Sequence, residues 1–297
     1  MAVDARQVPH ADVVAALDAV DIGDVWLVAR AIRGGVLGQG TPVAQVPDRK
    51  TAPILGFRNQ VVGRIAERVF RGRHLARLEP QFTIHDYHER GDNRDYGIEG
   101  GGAELPVNVK TASTLFRNAR QFGLEPEDCI PISSYKALNA IRKVPDLVYV
   151  DLVDFKLRER TDAYVEALGG ELAILWDLFS WYGGKGAKEA QNRYVDALFA
   201  EHGADLDALA PGVGNFRAIS AQRVLAILRE NPRRCPGLGV KAAGTGAFNA
   251  EVNVHVSVAQ ETWPWDEVER LLLTEGVAAV RRLTTETETR DVPAPRL

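Results

Sequence analysis

The chain has 297 residues, of which 45% are hydrophobic, and its 36 lysine and arginine side chains against 40 aspartate and glutamate side chains give a net charge of −4. This composition is typical of a globular protein and argues against one that coats nucleic acid without specificity. Because the sequence has no apolar run near the ~20 residues of a membrane span, no apolar leader and two widely separated cysteines, Cys129 and Cys235, we expect a cytoplasmic protein with no membrane partner.

Two helices are predicted in the first 70 residues. Apolar spacing predicts a short helix at 11–20, and a segment rich in glycine and proline follows at 34–53. Residues 56–70 then predict an amphipathic helix that carries Glu67 away from its apolar stripe. The stripe consists of Val61, Val62, Ile65 and Val69.

Basic residues dominate the region around this second helix. Between residues 49 and 77 the sequence has eight lysines and arginines and a single acid, Glu67. In an acidic protein this imbalance favours a phosphate-bearing partner, although a solvated helix face is the more ordinary explanation of a charge run. The phosphate contacts expected from this region are Arg58, Arg64, Arg68 and Arg71.

A glycine-rich hairpin is the most informative part of the chain. After an extended segment at 81–89, the stretches DYGIE and ELPVNVK form two predicted strands around the glycines at 100–102. The second strand turns three apolar side chains to one face: Leu105, Val107 and Val109. It turns Asn108 and Lys110 to the opposite face.

The rest of the chain is predicted to hold one buried strand at 146–155, one strand with a polar face at 251–258, and helices elsewhere. Helices are expected at 115–122, 133–144, 162–181, 187–202 and 216–230. The final helix is expected to begin at Pro264 and to end at Gly276, and the tail after Leu283 is expected to fray.

The hairpin supplies the groups that hydrolysis of a phosphodiester requires. Carboxylates bind Mg²⁺, which polarises a phosphoryl oxygen and activates water. A lysine beside the metal can orient the water or offset the developing negative charge. Asp95 on the first strand lies across from Asn108 and Lys110 on the second, so the three side chains are expected to be close together.

This order of elements resembles the PD-(D/E)xK superfamily of restriction-type nucleases over residues 55–155, and LPVNVKTAS resembles the catalytic strand of type II restriction endonucleases. The resemblance implies an α/β restriction-endonuclease-like core, a mixed central sheet flanked by helices. In it Glu67 matches the glutamate of the preceding helix, Asp95 the first acid and Lys110 the lysine. Asn108 stands where the pattern has Asp or Glu, and no proline precedes Asp95.

Because Asn108 stands in place of an acid, the sequence does not determine which residues bind the metal. The expected catalytic residues are Asp95, Lys110, Asn108 and Glu67. The expected metal ligands are Asp95, Glu104, Glu99 and Asn108.

The resemblance also implies an activity and a division of the chain. It implies an enzyme that uses Mg²⁺, or Mn²⁺ in its place, to cut double-stranded DNA as a homodimer. We expect an N-terminal helical segment at 1–54, the nuclease core at 55–160, and a mainly helical region at 161–297 for DNA recognition or dimerisation. Further DNA contacts are expected at Lys185, Arg217, Arg223 and His255. Two alternatives stay open: a repair or structure-selective nuclease with the same site, and a DNA-binding protein with a degenerate one.

Overall fold

The computed structural model describes residues 56–88, 93–112, 128–133, 143–169, 176, 187–210, 216–230, 253–257 and 261–285. The helices predicted at 11–20 and 115–122 lie outside these residues, as does Lys185. The described residues fall into two compact units, one formed by residues up to 65 with 156–210, the other by 66–155 with residues from 211 onward. The domain boundaries predicted at 54/55 and 160/161 stay a prediction.

A mixed six-stranded sheet forms the centre of the second unit. Its strands are β1 (Thr83–Asp86), β2 (Tyr96–Gly100), β3 (Ala103–Ala112), β5 (Val148–Val153), β6 (Phe216–Ser220) and β8 (Trp263–Pro264), in that spatial order. Only β3 and β5 pair in parallel; the other neighbours in this sheet are antiparallel. Two further strands, β4 (Cys129–Ser133) and β7 (Asn253–Ser257), pair separately.

The predicted hairpin is confirmed. β2 and β3 pair from Tyr96 with Val107 to Gly100 with Ala103, so the loop is the two residues Gly101 and Gly102. Both have positive φ, 61° and 77°, which is the backbone that a two-residue type I′ turn requires and that glycine adopts without strain.

The buried strand predicted at 146–155 is confirmed as β5, which lies between β3 and β6. Five of its six residues are buried, as are Leu105, Val107 and Val109 of β3. Each fully buried Val or Leu side chain stabilises the fold by about 1.5–3 kcal/mol, so the centre of the sheet is well anchored.

Helices flank this sheet. The predicted helix α1 (Gly56–Phe70) is confirmed, with its apolar stripe buried, and continues through a π-helical turn (Arg71–Leu75) into the short α2 (Ala76–Leu78). The C-terminal helices of the second unit are α5 (Ala221–Glu230), α6 (Trp265–Glu275) and α7 (Val277–Thr285). They pack on β2, β3 and β6, which makes the unit an α/β structure.

The first unit is helical where it is described. It contains the first ten residues of α1 with α3 (Leu157–Leu168) and α4 (Ala187–Ala208). Arg58 Nη1 donates to Asp162 Oδ2 of α3 at 3.0 Å, and Arg64 Nη2 donates to Asp196 Oδ1 of α4 at 2.8 Å. These contacts join segments that are more than a hundred residues apart in sequence.

Three expectations about secondary structure are wrong. Residues 216–220 are strand β6 and not the start of a helix, because they pair with β5 on one side and β8 on the other. Ser133 ends β4 instead of beginning a helix; residues 134–142 of the helix predicted at 133–144 lie outside the described residues. The helix between Pro264 and Gly276 is confirmed as α6, but it is not the last, since α7 follows directly and extends to Thr285.

Candidate metal centre

Three side chains that can bind a metal converge beside the hairpin. One ligand atom from each of Glu67, His88 and Asp95 lies within 4.8 Å of the others. Glu67 comes from α1, His88 from the turn after β1, and Asp95 from the residue before β2. The group therefore depends on three separate elements of the second unit.

Asp95 is held by the backbone of the neighbouring strands. Its Oδ2 accepts the Val109 N–H at 2.6 Å, its carbonyl accepts the Tyr87 N–H, and its own N–H donates to the Val107 carbonyl, both at 2.9 Å. Burial raises the pKa of the Asp95 carboxyl to about 6, with Lys110 opposing the rise and the charge of Glu67 adding to it. An acid so placed gains from a nearby cation.

His88 lies between two carboxylates. Its Nδ1 donates to Asp86 Oδ1 at 2.7 Å and its Nε2 donates to Glu67 Oε2 at 3.2 Å. The bond to Glu67 raises the pKa of His88 to about 9; burial opposes this rise and Asp86 adds to it. The imidazolium thus partly neutralises Glu67 and Asp95, and a metal that used Nε2 would have to displace its proton.

Tyr96 fixes the relative position of the helix and the His88 ring. Its hydroxyl donates to the Glu67 carbonyl at 3.4 Å, and its ring meets the His88 ring edge-on at 5.1 Å. Burial raises the pKa of the Tyr96 hydroxyl, so it remains a neutral donor. This contact ties α1 to the strand that follows Asp95.

Lys110 and Asn108 form a hydrogen-bonded pair on β3. The Lys110 Nζ donates to the Asn108 amide oxygen and, at 3.3 Å, to the Val109 carbonyl. The Asn108 amide N–H donates to the Asn93 carbonyl at 2.6 Å, which fixes the orientation of the amide. The buried Asn108 thereby holds the ammonium group of Lys110 against β3 itself. The next residue of this strand, Val109, donates its N–H to Asp95.

A row of charged residues continues from Lys110 across the sheet. Lys110 is in register with Asp151 of β5, and Asp151 with Arg217 of β6. Arg217 donates from Nε and Nη2 to Asp151 Oδ2 at 3.1 and 3.0 Å. Asp151 is fully buried, and its Oδ1 has no hydrogen-bond partner among the described residues. Burial raises the pKa of Asp151 to about 6, and the charges of Arg217 and Lys110 oppose this rise.

The two glutamates expected as alternative ligands lie in other contacts. Glu104 Oε1 accepts from Arg94 at 3.3 Å and its Oε2 from Tyr87 at 3.2 Å. Glu99 is bonded to His85 at 2.6 Å. Neither belongs to the group formed by Glu67 and its neighbours, so among these glutamates Glu67 is the one that the structure brings to Asp95.

Most of the arginines expected to contact DNA are paired with acids. Besides the pairs of Arg58 and Arg64, Arg71 pairs with Glu79 and Arg223 with Glu261. Arg217 was predicted on a helix and is instead on β6. Arg68 is exposed on α1, and His255 lies in β7 opposite Pro131. Among the described residues, four of the eight basic side chains between 49 and 77 are therefore paired with acids: Arg58, Arg64, Arg71 and Arg77.

The second unit contains a second group of possible ligands. It consists of His74, Asp266 and Glu269. His74 is fully buried, its Nδ1 is 2.9 Å from Glu269 Oε2, and its ring packs edge-on against Phe216 and Trp265. These contacts are those of a polar pair packed within an aromatic core.

Sequence reasoning missed two parts of the candidate centre. Residues 81–89 were expected to be extended throughout, but β1 ends at Asp86, and His88, two residues later, turns to Glu67. The row from Lys110 to Arg217 was missed because Arg217 was placed on a helix. A Ser side chain before a helix is the signal that would have corrected this: Ser220 Oγ accepts the Arg223 N–H at 3.0 Å and caps α5.

Within the part of the chain that the structure describes, no helix has the length and apolar character of a membrane span. Comparisons with protein-family models, with curated proteins and with solved structures gave no match to this chain. The assignment of a function therefore depends on the residues and their geometry.

Proposed function

We propose that this chain is a metal-dependent endonuclease that hydrolyses phosphodiester bonds of double-stranded DNA, with Mg²⁺ as its metal and Mn²⁺ as a substitute. The observation that carries the proposal is the convergence of Asp95 and Glu67 beside the strand on which Asn108 holds Lys110. An acid from a helix, an acid before one strand and a lysine on the next are the arrangement implied by the resemblance to PD-(D/E)xK nucleases.

The donor set supports a divalent cation. Asp95 and Glu67 offer carboxylate oxygens, the ligands that Mg²⁺ prefers. Burial disfavours the charge on Asp95 and the charge of Glu67 disfavours it further, so a cation between the two would relieve a cost already present in the fold. A bound divalent cation would polarise the phosphoryl oxygen and lower the pKa of a water molecule.

The residues of the chain would supply binding, orientation and proton management. Asp95 and Glu67 would hold the metal, and the backbone N–H of Val109 would keep the Asp95 carboxylate in one orientation. Lys110 would orient the attacking water or offset the negative charge that develops on the phosphate. Asn108 would act through Lys110, since its amide oxygen is already occupied by the ammonium group.

The substrate and assembly follow from the resemblance. We infer a type II restriction enzyme acting as a homodimer, because LPVNVKTAS resembles the catalytic strand of that class. A repair or structure-selective nuclease with the same site is the nearest alternative. A DNA-binding protein with a degenerate site is the alternative from another class, and the presence of Asn108 in place of an acid favours it.

The test is cleavage of plasmid and phage DNA by the full-length protein with Mg²⁺, followed by mapping of the ends. We expect cuts in intact duplex at a defined sequence, and a loss of about a hundredfold or more in D95N and K110A. K143A, which changes an exposed lysine outside the candidate centre, should cleave like the wild type. Cleavage confined to damaged or branched DNA would support the repair enzyme. DNA binding with no metal-dependent turnover would refute the nuclease.

A further inference from the structure

We infer that His88 is a third metal ligand and that the centre binds Mn²⁺, or another first-row transition-metal dication, in preference to Mg²⁺. The inference rests on the proposed site and names the class of metal that the site takes. It adds a nitrogen donor to the two carboxylates that the proposed function uses.

The spacing of the donors fits ligands on one ion. In an octahedral site with bonds of about 2.1 Å, neighbouring ligand atoms lie about 3.0 Å apart. His88 Nε2 is 3.2 Å from Glu67 Oε2, close to that separation. Asp95 offers its ligand atom within 4.8 Å of both. A cation could therefore replace the proton between His88 and Glu67 with small movements of the side chains.

The orientation of the imidazole is set from outside the group. The Asp86 carboxylate accepts the Nδ1–H of His88 at 2.7 Å and also its backbone N–H at 3.1 Å. Because Nδ1 is engaged, Nε2 is the nitrogen that faces Glu67. A carboxylate that holds the distal N–H of a histidine is the usual outer partner of a metal-bound imidazole, and it raises the basicity of the ligating nitrogen. Asp86 and His88 are exposed, so an ion can reach the site.

The added nitrogen decides which metals are favoured. Mg²⁺ is a hard cation that takes oxygen ligands, whereas imidazole suits the transition metals and carboxylates suit Mn²⁺ as well as Mg²⁺. Two carboxylates alone would serve Mg²⁺. Two carboxylates with one imidazole shift the preference to the transition-metal dications.

The chain offers a matched control in His85. It lies on β1 three residues before His88, has a similar side-chain exposure of 35% against 34%, and also contacts a carboxylate, that of Glu99. It does not belong to the group of Glu67 and Asp95. Replacing either histidine by glutamine therefore removes an imidazole–carboxylate contact, but only H88Q removes the proposed ligand.

The experiment measures binding of Mn²⁺ and Mg²⁺ to the full-length, chelator-treated protein, with free Mn²⁺ followed by its electron paramagnetic resonance signal and Mg²⁺ added as competitor. We expect the wild type and H85Q to bind Mn²⁺ at least tenfold more tightly than Mg²⁺. H88Q should lose about tenfold or more in Mn²⁺ affinity, as ligand and outer-partner changes do, with a much smaller change for Mg²⁺. An unchanged ratio of the two affinities in H88Q would overturn the inference.

Pulsed electron paramagnetic resonance of bound Mn²⁺ gives a second measurement, which detects a nitrogen ligand directly. Coordination by imidazole should produce ¹⁴N modulation in the wild type and H85Q, and H88Q should lack it. Bound Mn²⁺ without ¹⁴N modulation in the wild type, or no binding at a millimolar concentration, refutes the inference.

Neither measurement involves DNA, so the two proposals fail separately. Protein that binds Mn²⁺ through nitrogen but never cleaves DNA would refute the nuclease and leave the metal site. Protein that cleaves with Mg²⁺ and shows no nitrogen ligand would refute the site and leave the nuclease.

Discussion

Replacing Asp95 by asparagine should stabilise the metal-free protein at alkaline pH while it removes the metal response. The carboxyl of Asp95 is partly buried and near Glu67, and its pKa is raised from 3.8 to about 6. Ionising Asp95 therefore costs the folded chain more than the unfolded chain. The D95N amide keeps an oxygen for the Val109 N–H but carries no charge.

The size of the effect follows from the pKa. A rise from 3.8 to about 6 corresponds to about 3 kcal/mol. Between these pH values the folded chain keeps a proton that the unfolded chain has lost, so the free energy of unfolding falls as pH rises through this window. The amide oxygen accepts the Val109 N–H more weakly than a carboxylate does, by roughly 1 kcal/mol. We expect D95N to gain about 2 kcal/mol at pH 8 and almost nothing at pH 4.

Urea denaturation with and without metal tests both halves of the prediction. In chelator at pH 8, D95N should unfold at higher urea than the wild type. With Mn²⁺ at about 100 times its Kd, the wild type should gain about 2.7 kcal/mol and D95N far less. D196N is the control, because Asp196 is an exposed partner of Arg64 and its loss should change stability by less than about 1 kcal/mol. A D95N protein less stable than the wild type at pH 8 without metal would refute the reasoning.

Further variants probe the surroundings of the centre. N108D should keep cleavage, because a carboxylate at this position still accepts from Lys110. N108L should reduce cleavage about tenfold or more, because Lys110 loses its partner. Plasmid cleavage at saturating metal measures both. H88Q should lower the free energy of unfolding by about 1 kcal/mol at pH 6, a figure reduced because the side chain is partly exposed. Near pH 10 it should leave this free energy unchanged. The raised pKa of His88 stabilises the fold below 6.5 and loses this effect through about 9, which urea denaturation at the two pH values would show. R217M should lower the free energy of unfolding by about 3–5 kcal/mol, since it leaves the buried carboxylate of Asp151 without its cation, and the D151N/R217M pair should recover much of the loss in the same assay.

The parts of the fold that local chemistry determines could be predicted from the sequence. The alternation of Leu105, Val107 and Val109 and the pair Gly101-Gly102 fix the hairpin, because side-chain parity and a turn with positive φ are local properties. The stripe of α1 and the run of apolar residues in β5 follow from the same kind of pattern. These elements also carry Glu67, Asp95 and Lys110, so two of the three members of the candidate metal group, and the lysine beside it, could be predicted from the sequence.

The remainder depends on pairing between distant segments. Residues 216–220 form a strand only because β5 and β8 flank them, and an unbroken apolar pattern into α5 hides the change from strand to helix. The contact of His88 with Glu67 requires β1 to end at Asp86, two residues before His88. No periodicity in the sequence determines where this strand ends. The unpartnered oxygen of Asp151 is likewise a property of the assembled sheet.

The basic region illustrates the same limit and yields a last prediction. Arg64 and Asp196 are both exposed, so breaking their pair to contact a phosphate costs at most about 1 kcal/mol. Releasing Arg217 would leave the buried carboxylate of Asp151 uncompensated, at about 3–5 kcal/mol. Of these two predicted DNA contacts, we expect only Arg64 to bind a phosphate.

Binding of DNA by R64E at several salt concentrations tests this difference. Loss of one phosphate contact should reduce the slope of log affinity against log salt by about 1. D196N should leave the slope unchanged or slightly raise the affinity, because it frees the guanidinium of Arg64 from its acid. Equal slopes for R64E and the wild type would mean that Arg64 serves its ion pair with Asp196 and does not contact DNA.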